Sequence, residues 1–329
     1  MNIFISGGCG LIGSHLFREF VFNNKVSLCD NLISGYRDNL PPAMTFYGTI
    51  ERLLNKTLTG VDLVFHTAAL PHEGFSIFSP SIIANSVYFN TINLAAKSIA
   101  AKVPVFINFS SISRYGDIAP PFRESDCPQP LSPYGMSKFH AEQQLNLLSD
   151  IYGLKVIHLV PHSVIGIGQQ YDDPRRNVVA ITINRALMGE DIVIYGDGKQ
   201  RRSFSSVNDC INSVVSLISN LDRISNKEIF NIGPDKNDIS INDLMDMIIG
   251  FTKSNSKIVY LPAIPKEVKN AWCSSDKAKD ILGYECKEPL EKTIKDMVEW
   301  IKKRGPLPFS HCLEVEIVSE SIPSPWIAK

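Results

Sequence analysis

The chain has 329 residues with 33 basic and 34 acidic side chains, a balance that gives no general attraction to nucleic acid or to an anionic membrane surface. This length can bury the core of one large α/β domain with a smaller companion. The seven cysteines are scattered, without the close pairs of a zinc site or the density of a disulfide scaffold. We therefore expect reduced thiols in a cytoplasmic protein, with no metal site and no membrane-spanning segment.

A glycine-rich loop follows the first predicted strand, Asn2 to Ser6, and precedes a segment with helical periodicity. Gly7, Gly10 and Gly13 permit a tight turn and a close approach of the backbone to a ligand. The helix N-terminus, at Leu11 and Ile12, offers free N–H groups to a pyrophosphate. Strand, loop and helix together predict that these five residues bind a dinucleotide.

An acidic residue follows the second predicted strand, Lys25 to Cys29. Asp30 comes about 20 residues after the middle glycine, where a dinucleotide site places an acid on the adenosine ribose. A carboxylate there would repel the 2′-phosphate of NADP, so Asp30 favours NAD, and we expect Asn31 to contact the cofactor as well. The alternative, that Asp30 only caps a turn, fits its position less well.

Strands and helices alternate over roughly the first 160 residues, which predicts a doubly wound parallel sheet of the Rossmann type. Further strands are predicted over Met44 to Tyr47, Val61 to Thr67, Val103 to Phe109 and Lys155 to Val160. Ala68 and Ala69 follow one of these strands, and their small side chains would let a cofactor lie against the backbone. We interpret His66, within the same strand, as a packed structural residue rather than a catalytic one.

The second half of the chain is more broken, and it predicts a smaller C-terminal α/β domain for the substrate. Its predicted elements are helices over Asn177 to Met188, Asp209 to about Leu221, Ile241 to Phe251 and Leu290 to Lys303, and strands over Ile192 to Tyr195 and Glu228 to Ile232. We assign 1–163 plus about 203–225 to the cofactor domain and about 164–202 plus 226–304 to the substrate domain. The tail, 305–329, could pack on the body, pair at a subunit interface or be disordered.

The segment from Ser132 to Glu142 carries a pair of residues with a chemical use. On a helix, Tyr134 and Lys138 stand four residues apart and share a face. An ammonium beside a phenol favours the phenolate, so we expect Lys138 to lower the pKa of Tyr134 from about 10 toward working pH. Tyr134 could then take a proton from a sugar hydroxyl while a hydride leaves the same carbon. The spacing also occurs on solvated helix faces, and the other motifs of the chain favour the catalytic interpretation.

Several motifs together extend from Met1 to about Lys303. They are GGCGLIGSHL at 7–16, DNLISG at 30–35, FHTAAL at 65–70, NFSSISRYGD at 108–117, SPYGMSK at 132–138, IYGDGKQRRSF at 194–204 and DKAKDILGY at 276–284. This combination resembles the extended short-chain dehydrogenases/reductases, in their nucleotide-sugar epimerase and dehydratase branch, with a pattern similar to that of the UDP-glucose 4-epimerases. The resemblance implies NAD as cofactor and a nucleotide sugar as substrate.

The resemblance also implies a catalytic triad of Ser111, Tyr134 and Lys138. Ser111 would hydrogen-bond the reacting hydroxyl, Tyr134 would carry the proton, and Lys138 would bind the nicotinamide ribose. A serine in this position could instead cap a turn. For the substrate diphosphate the resemblance implies Arg202, while its strand neighbour Arg201 would point the other way.

The residues after Ser111 narrow the reaction that the resemblance implies. Relatives that eliminate water carry Asp-Glu directly after this position, and decarboxylating relatives carry Glu two residues after it. Here Ile112 and Ser113 occupy these positions, and neither side chain can act as a further acid or base. We expect C4 epimerisation of an NDP-hexose or NDP-N-acetylhexosamine through a 4-keto sugar, supplying a surface polysaccharide. A 4-ketosugar reductase, a C2 epimerase and a non-catalytic dinucleotide-binding regulator are the alternatives.

Other positions depart from the family pattern or extend it. The segment 160–166 lacks the family's arginine and asparagine; we expect Pro161 to contact the cofactor and Ser163 the substrate. Residues at other altered positions are Thr49, where an acid often holds adenine, and Ile264 and Glu267, where an arginine and an aspartate grip the nucleotide. Ala271 falls near a position where bulk excludes 2-acetamido sugars, so its small side chain would admit them. The resemblance finally implies a homodimer joined through the helices near 80–101 and 133–152.

Overall fold

The computed structural model describes residues 1–42, 48–235, 238–310 and 313–327. Its strands are β1 (Asn2–Ser6), β2 (Lys25–Cys29), β3 (Leu63–His66), β4 (Val105–Phe109), β5 (Lys155–Pro161), β6 (Val164–Ile165), β7 (Ile192–Tyr195), β8 (Arg201–Arg202), β9 (Ser205–Ser206), β10 (Ile229–Ile232), β11 (Ile239–Ser240), β12 (Ile258–Leu261) and β13 (Asn270–Ala271). Its helices are α1 (Leu11–Phe20), α2 (Pro80–Ala84), α3 (Asn90–Ala100), α4 (Pro133–Tyr152), α5 (Val178–Met188), α6 (Val207–Ser219), α7 (Ile241–Thr252), α8 (Asp276–Leu282) and α9 (Leu290–Arg304). A π-helical turn, Asn85–Phe89, joins α2 to α3, so the helical segment predicted near 80–101 is continuous.

A six-stranded parallel sheet in the order β10-β5-β4-β3-β1-β2 forms the centre of the fold. Every residue of β3 and β4 is buried, as expected for strands that are covered on both faces. Within β1, Ile3 and Ile5 face the core beneath α1 and α6, whereas Phe4 faces the opposite core beneath α3 and α4. The predicted Rossmann-type, doubly wound α/β fold is therefore confirmed.

A second, smaller unit contains α5, α7 and α9, which share a core of their own with the parallel pair β7 and β12. Its other sheet is three-stranded, in the order β11-β8-β13. Although the sequence-based division assigned 226–304 to this unit, β10 pairs with β5 in the large sheet. Helix α8 also packs its Ala278 and Leu282 into the core of the large sheet. The rest of the proposed domain division stays a prediction.

The tail packs on the body of the protein in its described part. Ile322 and Trp326 are buried against Phe75 and Phe78, which belong to the segment between β3 and α2. Of the three sequence-based alternatives for the tail, packing on the body is the one observed. The predicted strand from Met44 to Tyr47 lies outside the described residues. Within the described ranges, no helix is both long enough and apolar enough to cross a membrane.

Candidate active site

One cavity of about 520 Å³ opens at the carboxyl ends of the large sheet's strands and extends to the smaller unit. Parallel α/β sheets bind ligands at this edge. Each residue that the sequence predicted for the site lines this cavity: Gly7, Gly10, Leu11, Ile12, Gly13, Asp30, Asn31, Ala68, Ala69, Ser111, Tyr134, Lys138, Pro161, Ser163 and Arg202. The structure thus brings the predicted cofactor, triad and substrate residues together, while their individual roles stay predictions.

The glycine loop forms a tight cradle between β1 and α1. Gly7 adopts φ +75°, and a Cβ atom there would lie 2.8 Å from the Cα of Ala68. A Cβ atom on Gly13 would lie 2.1 Å from the carbonyl oxygen of Gly7. Helix α1 begins after Gly10 without a side-chain cap or a first-turn acid among the described residues, so its N-terminal N–H groups remain for an anion. The cradle therefore fits the pyrophosphate of a dinucleotide.

Asp30 follows β2 and faces the same cavity. One of its carboxylate oxygens accepts a hydrogen bond from the backbone N–H of Cys9 at 2.8 Å, and the other accepts one from Leu32 at 2.7 Å. These bonds hold the carboxylate beside the glycine loop, where an adenosine ribose would lie against it. Burial raises the pKa of Asp30, and the backbone hydrogen bonds oppose that rise.

Tyr134 lies in the first turn of α4. Ser132 caps this helix, since its side chain accepts a hydrogen bond from Gly135 N at 3.1 Å, and Pro133 occupies the first helical position. The backbone N–H of Tyr134 donates to Ser76 Oγ at 3.2 Å, so the loop between β3 and α2 also fixes the start of the helix. The Tyr134 side chain reaches the cavity and makes hydrogen-bonding contact with Ser111.

The pKa of Tyr134 is raised, and the expectation that Lys138 lowers it below 10 is wrong for the protein chain alone. Burial is the largest effect, and the charge of Glu73 raises the pKa further, while Ser111 and Arg176 lower it. The Lys138 ammonium instead donates to the carbonyl of Phe109 at 2.7 Å and lies 6.0 Å from the centre of the Tyr134 ring. Burial lowers the pKa of Lys138 to about 8.

The Ser111 side chain makes two kinds of contact at once, one with the backbone and one with Tyr134. Its hydroxyl oxygen accepts a hydrogen bond from the backbone N–H of Ser113 at 3.2 Å and so caps the short 3₁₀ helix Ile112–Arg114. Its hydroxyl also lies beside Tyr134 in the cavity. The turn-capping role and the catalytic role, which the sequence posed as alternatives, are compatible in one side chain.

Glu73 is a residue of the site that sequence reasoning missed. Its side chain lines the cavity, where it is exposed to solvent, in hydrogen-bonding contact with Ser113 and Ser132, and desolvation by the surrounding cavity wall raises its pKa. Glu73 therefore supplies a carboxyl group from another loop, in addition to the two positions after Ser111, which carry none. Only the acid's place shortly after the Ala68-Ala69 pair could have indicated it.

Arg202 lines the cavity from β8, whereas Arg201 pairs with Asp238 on the other side of the strand. The opposite orientation of these neighbours is as predicted. The Arg202 guanidinium donates to the carbonyl of Lys269 at 2.9 Å and lies 3.5 Å from the carboxylate of Glu267. Burial lowers the pKa of Arg202, and Glu267 and Glu73 oppose that shift. Ile264, Glu267 and Ala271 line the cavity as well.

The comparisons with known proteins agree with this geometry. Residues 3–233 match the model of the family described as "NAD dependent epimerase/dehydratase family". The chain belongs to this family.

Relatives of this epimerase/dehydratase chain share almost its whole length. It is 30% identical over 317 residues to a putative UDP-glucose 4-epimerase from Methanocaldococcus jannaschii, covering 92% of this chain and 99% of the relative. The structure of a Thermotoga maritima UDP-glucose 4-epimerase with UDP-glucose is similar, with a TM-score of 0.83 and 32% identity, covering 92% and 99% of the two chains. A UDP-N-acetylglucosamine 4-epimerase from Methanobrevibacter ruminantium, in complex with UDP-N-acetylmuramic acid, gives 0.84 and 28% with the same coverage.

Family membership confirms the family resemblance seen in the sequence and the predicted cofactor, NAD. The interpretation of His66 as structural is confirmed too: its ring nitrogens lie 2.7 Å from Ser6 Oγ and 2.7 Å from Thr91 Oγ1, and the side chain is buried. Six cysteines in the described residues are free. Those residues contain no cluster of three or more side chains suited to holding a metal ion.

Proposed function

We propose that this protein is a nucleotide-sugar 4-epimerase, an isomerase that inverts C4 of an NDP-hexose or NDP-N-acetylhexosamine. One observation carries the proposal: Ser111, Tyr134 and Lys138 meet in a single cavity with the glycine cradle. A dinucleotide-binding regulator needs no proton carrier beside its cofactor, so the triad favours an enzyme. The names of the relatives, UDP-glucose and UDP-N-acetylglucosamine 4-epimerases, support the same reaction.

The protein's own groups carry the proton chemistry of this reaction. Tyr134 accepts the proton of the sugar 4-hydroxyl, and Ser111, beside it, orients that hydroxyl. Bound NAD would supply a hydride acceptor for C4 and, in its oxidised form, a positive charge that favours ionised Tyr134. The resulting 4-keto sugar turns over within the cavity, C4 takes the same hydride back on its opposite face, and Tyr134 returns the proton to the inverted hydroxyl. Since nothing is consumed, the net reaction is isomerisation.

Binding of the two ligands divides along the cavity. The glycine cradle and Asp30 would hold the dinucleotide, with Lys138 on its nicotinamide ribose. Arg202 presents a planar guanidinium that suits the oxygens of a substrate diphosphate. Ala271, with its small side chain in the cavity wall, leaves space for a 2-acetamido group.

A second candidate reaction follows from Glu73. Its carboxyl group supports chemistry that needs a second proton carrier, such as loss of water or of carbon dioxide from the 4-keto sugar. A 4-ketosugar reductase has no comparable observation in its favour, and it would consume reduced cofactor in proportion to product. We therefore rank epimerisation first and a Glu73-assisted elimination or decarboxylation second.

One incubation separates these reactions. Purified protein is mixed with UDP-glucose, UDP-N-acetylglucosamine and UDP-glucuronate in turn, with and without added NAD, and the anomeric protons are followed by NMR. We expect the C4 epimer of at least one sugar and no net change in cofactor. A 4-keto-6-deoxy sugar or a pentose as sole product would establish the second candidate, and oxidation of a sugar to its 4-keto form with NAD reduced in proportion would establish a reductase running in reverse.

We propose in addition that the protein is a homodimer joined through α3 and α4. Large apolar side chains are exposed here, among them Leu147 (58%) and Ile151 (59%) on α4 and Phe89 (60%) in the π-helical turn before α3. Exposed apolar patches of this kind mark interfaces, and a two-fold axis would pair the same helices of both subunits.

We propose the cytoplasm, where NAD and nucleotide sugars are available, as the compartment of this protein. The pathway we propose is the synthesis of a surface polysaccharide.

A further inference from the structure

The described end of the tail, 313–327, forms a segment that we call the C-terminal strap. Its Trp326 is only 4% exposed and lines the cavity. The indole packs edge-on against three other aromatic rings, with centroid distances of 6.2 Å to Phe75, 6.1 Å to Phe78 and 5.7 Å to Tyr195. Trp326 thus connects the loop between β3 and α2 to β7 of the smaller unit across one wall of the cavity.

A polar clamp fastens the strap to the start of α2. The Glu316 carboxylate accepts hydrogen bonds from the backbone N–H groups of Ser81 at 2.9 Å and Ile82 at 3.2 Å. The backbone N–H groups of Glu316 and Ile317 both donate to the carbonyl of Phe78, at 3.0 and 2.9 Å. These bonds satisfy backbone groups at both partners, so the strap has a defined register on the helix.

A second anchor comes from the smaller unit. The guanidinium of Arg175 donates to the carbonyl of Leu313 at 2.9 Å and lies 4.6 Å from the centre of the Phe75 ring. Asp173 fixes this guanidinium through two hydrogen bonds of 2.7 and 3.0 Å, and contacts with His72 and Arg175 hold the pKa of Asp173 well below its usual range. The buried ion pair is therefore charged and holds the strap at its first described residue.

The loop under the strap carries groups of the active site. It presents Glu73 to the cavity, and its Ser76 Oγ accepts the backbone N–H of Tyr134 at 3.2 Å. A Cβ atom on Gly74 would lie 3.0 Å from the Trp326 ring, so the indole rests directly on this loop. Removing the strap would therefore take away a contact of the loop that carries Glu73 and Ser76.

We propose that the strap is part of the nucleotide-sugar site, with Trp326 as a specificity-determining wall against the substrate. The indole adds a rigid apolar edge to a part of the cavity wall that Ile77, Tyr195 and Ile264 also form, and removing it would open this wall to water. The inference deepens the proposed function and rests on a nucleotide sugar being the substrate. The residues that would hold NAD, in the glycine cradle and at Asp30, belong to the segment 7–30 around α1 and β2, so we expect NAD binding to be independent of the strap.

The test compares Trp326→Ala and a chain truncated after Phe309 with the wild type and with Val318→Ala, whose side chain is 79% exposed on the same strap. We expect Trp326→Ala and the truncation each to raise the KM for the sugar substrate roughly tenfold or more. The Val318→Ala variant and the NAD content of all four proteins should stay unchanged. An unaltered KM in the truncated chain would overturn the proposal.

Two further variants guard against misfolding as the cause. Trp326→Phe keeps an aromatic wall and should restore most of the affinity, whereas Glu316→Gln loosens the clamp and should raise the KM without touching the wall. Calorimetric binding of UDP-glucose and of UDP to each variant gives a readout that needs no turnover. If the wild type binds these ligands but epimerises no sugar, the proposed reaction fails alone; if Trp326→Ala binds them as tightly as wild type, the strap proposal fails alone.

Discussion

Tyr134 lies among groups of opposite effect, and its pKa reflects their balance. Burial and the charge of Glu73 disfavour the phenolate, whereas Ser111 and Arg176 favour it. The residue therefore depends on its surroundings, including bound cofactor, to act as a base at working pH.

Replacing Tyr134 by Phe removes the hydroxyl that carries the proton. We predict a fall in kcat of about 10²–10⁴-fold, the usual range for loss of a general acid or base, with NAD content unchanged. Tyr260→Phe is the matched control, because Tyr260 is exposed on β12. Steady-state kinetics and cofactor absorbance give the result, and full activity in Tyr134→Phe would refute its assignment.

Replacing Glu73 by Gln should move the pH profile. Activity rises with pH as Tyr134 ionises, and the negative charge of Glu73 raises the pKa of Tyr134. Removing that charge lowers the pKa, so we predict that the ascending limb of the kcat profile, where Tyr134 ionises, shifts to lower pH. The exposed Glu299→Gln serves as control. A limb that stays in place, or shifts upward, contradicts this electrostatic coupling.

The proposed cofactor cradle lies at the junction of β1, the glycine loop and α1. A substitution at this junction tests whether the cradle holds NAD. In Gly13→Ala the new Cβ atom would lie 2.1 Å from the Gly7 carbonyl oxygen, so the loop must shift. We predict loss of bound NAD, measured by cofactor content after purification. Gly250→Ala, in α7 with open space around it, should keep NAD and gain up to about 1 kcal/mol in stability. Normal NAD content in Gly13→Ala would mean that the loop does not hold the cofactor.

Elements with a strong local pattern could be predicted from the sequence. The strand, glycine loop and helix at 2–20 were predicted because residues close together in the chain carry their pattern. The elements β2, β7 and α4 were predicted for the same reason. Two-residue strands such as β8 and β13 have no period to detect, and β12, half exposed, was missed as well. The last strand of the large sheet was assigned to the wrong unit because strand pairing is a tertiary property.

The candidate site was predictable where a motif carried it and not elsewhere. Glu73 and Trp326 reach the cavity only after folding, since loops far apart in the chain converge there. The pKa of Tyr134 was misjudged because spacing along a helix reveals a neighbouring lysine but not the degree of burial. The two missed residues and the misjudged pKa all depend on the tertiary environment rather than on residue type.

The exposed apolar side chains on α4 and in the turn before α3 predict a dimer. Leu147→Glu places a charge at the proposed two-fold interface and should shift the protein from dimer to monomer in sedimentation velocity, with NAD still bound. Ile281→Glu, an equally conspicuous exposed position on α8, should leave the dimer intact. A wild-type protein that sediments as a monomer at micromolar concentration would contradict the proposed interface.

In the proposed reaction, a hydride leaves C4 of the sugar and returns to the same carbon while Tyr134 accepts and returns the proton. The most direct measurement uses the accepted nucleotide sugar deuterated at C4, incubated in ordinary water and analysed by NMR and mass spectrometry. We predict that the C4 epimer retains its deuterium at C4, with no net reduced cofactor. Loss of the label to water, or its appearance in accumulated reduced cofactor in proportion to product, would contradict this reaction.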